Sequence, residues 1–307
     1  MRILITGGAG FIGSHLCDAL IDENEIICID NVSSGNVNNI KHLMKNRKFK
    51  LIRHDITKPV NIKKIDRIFH LASMASPVDY QKNPIATLLA NSIGTYNIIN
   101  LALRNNSRLL FTSTSEVYGD PKENPQKEEY WGNVNPIGIR SCYDEGKRFS
   151  EALLMAHKRE KNLNLALVRI FNTYGPRMRK NDGRVVSNFI IQALRNTPIT
   201  VYGSGKQTRS FCYVSDMVNG LIKMMDSEEV GPINLGNPRE NKIIDIAKMV
   251  IKFTNSKSGI VFSKLPEDDP MKRRPDISKA KEKLDWVPIM SLEDGLKRTI
   301  NYFSSLH

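Results

Sequence analysis

The sequence predicts an α/β chain built on a doubly wound parallel sheet, and three observations carry that expectation. Short Ile/Leu/Val-rich runs alternate with longer segments of helical period, a glycine-rich stretch follows the first run, and an acidic residue closes the second. Strands separated by helices need crossovers, and crossovers make neighbouring strands parallel. Near-continuous apolar strands suit a sheet covered on both faces.

The elements follow in order as RILITG, helical FIGSHLCDALID, EIICID, KLIRHDI, RIFHLA, helical TLLANSIGTYNIINLAL, RLLFTSTS, a helix from about Tyr143, and LNLALVRIF. After Phe171 the pattern changes to NTYGPRMRKNDGRVV, rich in turn formers and basic residues, then to short mixed elements and a final helix near LEDGLKRTINYF. FCYVSDMVNGLIKMM and GPINLG read as a helix and a strand returning to the sheet. The expected division is a dinucleotide-binding Rossmann domain over 1–172, rejoined by 210–236, and a smaller interleaved C-terminal substrate-binding lobe over 173–209 and 237–307.

Composition excludes several classes. Apolar residues make up 40% of the 307, enough for a core, and no run approaches the ~18 apolar residues of a membrane span. No basic and apolar leader opens the chain, so a soluble, cytoplasmic protein is expected. Cys17, Cys28, Cys142 and Cys212 are scattered, which indicates neither a disulfide framework nor a zinc or other metal site. The net charge of +13 is spread through KNRKFK, RMRK and MKRRP, without a nucleic-acid-binding motif. A small polyanionic substrate accounts for a basic cleft, and no nucleic-acid or membrane partner is expected.

In ILITGGAGFIG a strand should end at Thr6 and a helix begin near Phe11. The loop satisfies both G-x-G-x-x-G (Gly8, Gly10, Gly13) and G-x-x-G-x-x-G (Gly7, Gly10, Gly13). Missing Cβ atoms let the turn form and let backbone N–H groups approach a pyrophosphate. EIICID then ends in Asp30, where a carboxylate accepts ribose hydroxyls and repels a 2′-phosphate, so NAD is favoured over NADP.

Tyr143 and Lys147 in SCYDEGKR are four residues apart and share a helix face. That spacing alone fits a proton-transfer device or an ordinary exposed helix. Their helix follows RLLFTSTS, whose carboxyl end should open into the dinucleotide crevice, and this favours the device. Lys147 and a cationic nicotinamide would lower the phenol pKa from its usual value near 10. Asp144 and Glu145 are expected to point away into solvent.

TGGAGFIG, Asp30, HLAS (70–73), STSEVYG, Tyr143-x-x-x-Lys147 and RIFNTYGPR together resemble the extended short-chain dehydrogenase/reductase family across essentially the whole chain. The resemblance implies NAD, nucleotide-sugar substrates and a catalytic trio of Thr114, Tyr143 and Lys147. Tyr143 takes the proton of a sugar hydroxyl, Thr114 hydrogen-bonds the same oxygen, and Lys147 tunes the tyrosine and holds the nicotinamide ribose. The cofactor residues it implies are Gly7, Gly10, Phe11, Ile12, Gly13, Asp30, Asn31, Ser34, Gly35, Asp55, Ile56 and Ala72, with Tyr143 and Lys147.

Family members that epimerise, dehydrate or decarboxylate all begin by oxidising C4. Here Ser115-Glu116 follows the threonine where dehydratases resemble one another in having Asp-Glu, which speaks against dehydration. NPIGIRSCYDEGKR, RIFNTYGPRMRKNDGRVVSNF, VYGSGKQTRSFCYVSD and DDPMKRRPDI resemble segments of UDP-glucuronate decarboxylases. That resemblance implies UDP-sugar contacts at Asn172, Arg184, Tyr202, Gln207, Arg209 and Arg273. It also implies catalytic roles for Glu116 and Arg273, with Arg273 orienting the C6 carboxylate and Glu116 assisting proton traffic at C5.

The alternatives are a UDP-hexose or UDP-uronate 4-epimerase, or a non-catalytic NAD-binding module. Met74 and Asn36 depart from the family pattern, at a sugar-facing loop and at the adenosine end. A homodimer is implied by resemblance, through helices around TLLANSIGTYNIINLALR and FSEALLMAHKRE, although the same apolar faces would suit packing on the sheet.

Overall fold

In the computed structural model, residues 1–264 and 272–306 are described. The strands run in chain order as β1 (Arg2–Thr6), β2 (Glu25–Asp30), β3 (Phe49–Arg53), β4 (Arg67–His70), β5 (Arg108–Thr114), β6 (Leu165–Ile170), β7 (Thr173–Tyr174), β8 (Ile199–Tyr202), β9 (Thr208–Ser210), β10 (Cys212–Tyr213), β11 (Ile233–Leu235), β12 (Glu240–Lys242) and β13 (Ile260–Ser263). The α-helices are α1 (Phe11–Leu20), α2 (Pro77–Lys82), α3 (Pro84–Leu89), α4 (Thr95–Asn105), α5 (Ser141–Lys161), α6 (Val185–Leu194), α7 (Val214–Asp226), α8 (Ile243–Thr254), α9 (Ser278–Leu284) and α10 (Leu292–Ser304).

Seven strands form one sheet in the order β11-β6-β5-β4-β1-β2-β3, and every neighbouring pair is parallel. Alternate residues of each strand face opposite sides. Ile3 and Ile5 of β1 therefore pack with Leu16 of α1 and Met217 of α7. Leu4 packs with Ile98 of α4 and Leu154 of α5 on the other face. Both faces are covered, as the sequence predicts for a doubly wound sheet.

The strand order reverses between β1 and β4, so a crevice opens at their carboxyl ends. The chain from Asn172 onward adds three two-stranded pairs, β7 with β10, β8 with β13 and β9 with β12. The segment 211–225 supplies α7, and GPINLG supplies β11 on the edge of the main sheet.

The expected helix 87–103 is divided, with a π-turn over Ala90–Gly94 between α3 and α4. Asn91 and Gly94 are buried there. Gly94 lies so close to Ile56 that an added Cβ would stand 2.7 Å from it. Part of DDPMKRRPDI, residues 268–271, lies outside the described residues. No described helix is long and apolar enough to cross a membrane, and the four cysteines are buried and free.

Candidate active site

The crevice is a cavity of about 300 Å³, lined by every residue assigned above to the cofactor, from Gly7 to Lys147. Gly7, Gly10 and Gly13 line it and Gly8 does not, so the pattern in use is G-x-x-G-x-x-G. Gly7 has φ +74°, and a Cβ there would stand 2.9 Å from Ala72 N. One on Gly13 would stand 2.2 Å from Gly7 O. Gly8 instead backs onto Cys28, whose sulfur would lie 2.5 Å from its Cβ.

Helix α1 starts at Phe11 with no acidic side chain in its first turn, so its N–H groups and the positive end of its dipole suit a diphosphate. Asp30 ends β2 and is buried, with Oδ2 accepting from Ala9 N (2.9 Å) and Oδ1 from Val32 N (2.7 Å). Each oxygen keeps a lone pair for a ribose hydroxyl. Burial raises the pKa of this carboxyl despite those two bonds. Cradle, helix end and acid therefore fit a dinucleotide. The departures lie close by: Asn36 caps the 3-10 turn Val37–Lys45 through Asn38 N, and Met74 packs beside Tyr80, Cys142 and Tyr143.

Tyr143 and Lys147 are buried on the first turns of α5, and Thr114 at the end of β5 hydrogen-bonds the phenol. The phenol pKa is raised rather than lowered as expected. Burial is the main cause, the charges of Glu116 and Asp144 add to it, and Thr114 and Arg184 act against it. Lys147 lines the same cavity and is bonded to the main chain of β5. Its ammonium donates to Thr112 O (2.8 Å) and sits 4.5 Å from the centre of the Phe111 ring. Burial lowers it to about 7, against the pull of Glu151. Tyr80, which the sequence did not single out, stacks on Tyr143 with centroids 5.2 Å apart.

Glu116 follows Thr114 on a 3-10 turn, Ser115–Tyr118. Its carboxylate is paired with Arg273, one contact being Nη2 to Oε2 at 2.9 Å, and with Arg140. Burial favours the neutral acid, yet the Arg273 and Arg140 guanidiniums hold Glu116 below its usual pKa. Arg140 Nε also stands 3.7 Å from Asp144 Oδ2.

Asp144 corrects the sequence reading. It is only 6% exposed, its Oδ1 has no partner, and burial plus the Glu116 charge push its carboxyl up to about 7. Only Glu145 remains partly exposed, 3.5 Å from Arg148. Period alone cannot place Asp144, because the turn after β5 packs on α5 and brings the Glu116 charge to it. Arg140, also missed, was visible in NPIGIRSCYDEGKR as the cation four residues before Asp144.

Of the expected sugar contacts, Arg184 lines the crevice, paired with Asp182 and 5.7 Å from the Phe11 ring centre. Arg209 and Arg273 are buried, and the charges of both act on Glu116. Asn172 is half-buried, its carbonyl accepting from Cys212 N. Tyr202 and Gln207 are joined by a 2.5 Å bond from Gln207 Nε2 to Tyr202 O. Neither they nor Asn172 lines the cofactor cavity. Arg179 and Asp79, unmarked in the sequence, line it and pair with each other.

A phosphate cradle, a ribose acid and a buried Thr/Tyr/Lys set on one parallel sheet define a dinucleotide-dependent enzyme of the short-chain dehydrogenase class. The chain belongs to the extended short-chain dehydrogenase/reductase family: the family model described as GDP-mannose 4,6 dehydratase matches residues 4–299. It is 55% identical over 304 residues to UDP-glucuronic acid decarboxylase 1 of Arabidopsis thaliana, covering 99% of this chain and 70% of that protein. It is 54% identical over 303 residues to UDP-glucuronic acid decarboxylase 1 of Xenopus tropicalis, covering 98% and 72%. Among solved structures, the UDP-glucuronic acid 4-epimerase of Bacillus cereus, in complex with UDP-glucuronic acid and NAD, is 30% identical. It superposes over 100% of both chains with a TM-score of 0.90.

Proposed function

We propose that this enzyme decarboxylates UDP-glucuronate to UDP-xylose, with NAD as a recycled cofactor. The observation that carries the reading is 53–55% identity to UDP-glucuronic acid decarboxylases over nearly the whole chain. The buried Glu116–Arg273 pair beside Tyr143 supports it, because an acid substrate gives that arginine a second carboxylate to recognise.

Tyr143 removes the C4 hydroxyl proton while Thr114 hydrogen-bonds the same oxygen. NAD, when bound, accepts the C4 hydrogen as hydride and later returns it. Arg184 already favours the ionised phenol, a bound nicotinamide would add its charge to that, and Lys147 would hold the adjoining ribose. The C4 ketone is β to the C6 carboxylate. The C5–C6 bond then breaks, CO₂ leaves, and the electron pair passes into the carbonyl as an enolate. A proton from solvent, added at C5 where CO₂ left, restores the ketone, and Tyr143 gives the proton it took back to the C4 oxygen as it is reduced.

Arg273 has five N–H donors, so pairing with Glu116 leaves others to orient the C6 carboxylate. Glu116 stays ionised between its guanidiniums and accepts hydrogen bonds during proton transfer at C5. Arg184, Arg209, Tyr202 and Gln207, on the lobe formed by 173–209 and 237–307, hold the UDP-sugar together with Asn172 at the end of the first domain.

The reading includes a homodimer in the cytoplasm. Ile85, Leu89, Ile93 and Tyr96 are exposed at helical spacing from α3 to α4, with Phe149 exposed on the adjacent α5. Four buried free thiols suit a reducing compartment.

A second reading, 4-epimerisation of the same uronate, is favoured by the fold shared with the Bacillus cereus epimerase. Proton NMR of the protein with UDP-glucuronate and NAD in D₂O separates the two. UDP-xylose carrying deuterium at C5, with CO₂ released, is expected. UDP-galacturonate without CO₂ would overturn the proposal.

A further inference from the structure

Glu116 and Arg273 are 157 residues apart in sequence yet form one buried pair. Glu116 sits on a short 3-10 turn, while Arg273 belongs to no regular element. Some other part of the molecule must hold the two backbones together.

Asn234, fully buried on β11, lies between them. Its Oδ1 accepts from Tyr118 Oη (2.8 Å), and Tyr118 ends the turn that carries Glu116. Its Nδ2 donates to Gln126 O (3.0 Å) and to Asp276 O (3.2 Å). Its own backbone N–H is taken by Glu128 Oε1 at 2.8 Å.

Gln126, also fully buried, completes the grip on the Arg273 side. Its N–H donates to Arg274 O, its Oε1 accepts from Arg274 N, and its carbonyl accepts from Asp276 N, each at 2.8 Å. The main chain of Arg274 and Asp276 is thus bonded to Gln126 and Asn234, Arg273 O accepts from Ser210 Oγ (3.3 Å), and Asn234 is bonded through Tyr118 to the Glu116 turn.

We propose that Asn234 is a positioning residue for the decarboxylation half of the reaction, locking the turn of Glu116 to the segment of Arg273. This rests on the UDP-glucuronate decarboxylase reading. The oxidation half touches Asn234 only at a distance: Thr114 is fixed by β5–β6 pairing opposite Ile170 and Tyr143 and Lys147 by α5, and Asn234 reaches them only through Tyr118, Arg169 and Glu151, a link that the Arg169–Glu151 pair holds without Asn234. Loosening Asn234 therefore separates two steps that a general loss of stability would slow together.

The variant Asn234→Asp keeps the acceptor for Tyr118 and the side-chain size, but turns an oxygen toward the carbonyls of Gln126 and Asp276. Tyr118→Phe breaks the same lock from the Glu116 side, and it decides the matter if the first variant fails to fold; it also removes the acceptor of Arg169 Nη1, which keeps its bonds to Glu151 and to Glu128 O. In single turnovers with UDP-glucuronate and NAD, absorbance follows reduced cofactor and trapped CO₂ follows decarboxylation, with a thermal melt on each protein.

Expected is reduced-cofactor formation within about twofold of the parent and CO₂ release at least about tenfold slower, so that a 4-ketouronate accumulates. Equal slowing of both steps, or no change in either, overturns the inference. A parent enzyme that releases no CO₂ from UDP-glucuronate overturns the underlying reading, and the inference with it. A parent that releases CO₂, with the ratio of steps preserved in both variants, overturns the inference alone.

Discussion

In the cofactor half of the crevice the lining is largely main chain: a loop whose Gly7 and Gly13 leave no room for a Cβ and whose Gly10 leaves a tight fit, and the uncapped start of α1. The charged cluster beside Tyr143 is instead made of side chains from separate parts of the chain, none of them lining that cavity: Glu116 after β5, Arg140 before α5, Asp144 on α5 and Arg273 near the C-terminal end. A backbone cradle is set by local conformation and fails when atoms are added to it. A cluster of paired charges is set by tertiary packing, and it fails when one member is removed and its partner is left buried and uncompensated.

The largest effect should come where the two regions meet. Tyr143→Phe keeps the ring stacked on Tyr80 and removes only the hydroxyl bonded to Thr114. Turnover of UDP-glucuronate should fall by about 10²–10⁴-fold, the usual worth of a positioned acid–base group. NAD affinity measured by calorimetry should stay near that of the parent. A comparable loss of NAD affinity would mean that the phenol belongs to the cradle rather than to the chemistry.

A smaller loss, confined to the cofactor half, is expected for Gly13→Ala. The new Cβ would meet Gly7 O at 2.2 Å and Gly8 Cα at 2.8 Å, both backbone atoms that move only if the loop moves. Overpacking of this kind costs about 1–3 kcal/mol. The calorimetric Kd for NAD should rise about tenfold or more, since 1.4 kcal/mol is one decade. An unchanged Kd with a lowered melting temperature would detach the loop's packing from its binding.

The same contrast explains what the sequence could tell. Strand runs, helical period, the glycine spacing and Asp30 are local signals, and each marks a position in the doubly wound sheet and its cofactor crevice. The choice between Gly7 and Gly8 was open, because it depends on Cys28 lying beneath Gly8. Glu116 and Arg273 were recognisable only as members of resembling segments. Their mutual bond joins residues 157 apart and leaves no periodic trace. Arg140 and the burial of Asp144 depend likewise on long-range packing, of the Glu116 turn on α5.

Asp144 gives the comparison a pH signature. Burial and the Glu116 charge raise its carboxyl from 3.8 to about 7 in the folded chain. Between about pH 4 and pH 7 the folded state therefore binds the extra proton, and stability at this site falls as pH rises through that window. The facing groups are Cys142, Tyr143 and Glu145 on its own helix, Arg140 just before it, Glu116 after β5, Arg273 and Tyr80. Asp144→Asn removes the titration and leaves the Glu116–Arg140 pair in place. Its melting temperature relative to the parent should rise from about pH 4.5 to about pH 8. A difference independent of pH would mean that Asp144 stays ionised throughout.

The smallest effect belongs to its neighbour. Glu145 is one residue further along α5, partly exposed, with Arg148 at 3.5 Å on an i,i+3 spacing. An exposed pair of this kind contributes little, and Glu145→Gln should change stability by no more than about 0.5 kcal/mol, with no trend in pH. In the sequence the two acids are alike, both outside the Tyr143–Lys147 face. What separates them is that Asp144 is buried near the Glu116 charge while Glu145 stays partly exposed. Matching pH profiles for Asp144→Asn and Glu145→Gln would show that this burial does not govern ionisation at Asp144, and the distinction between a backbone-built cradle and a side-chain-built cluster would lose its electrostatic consequence.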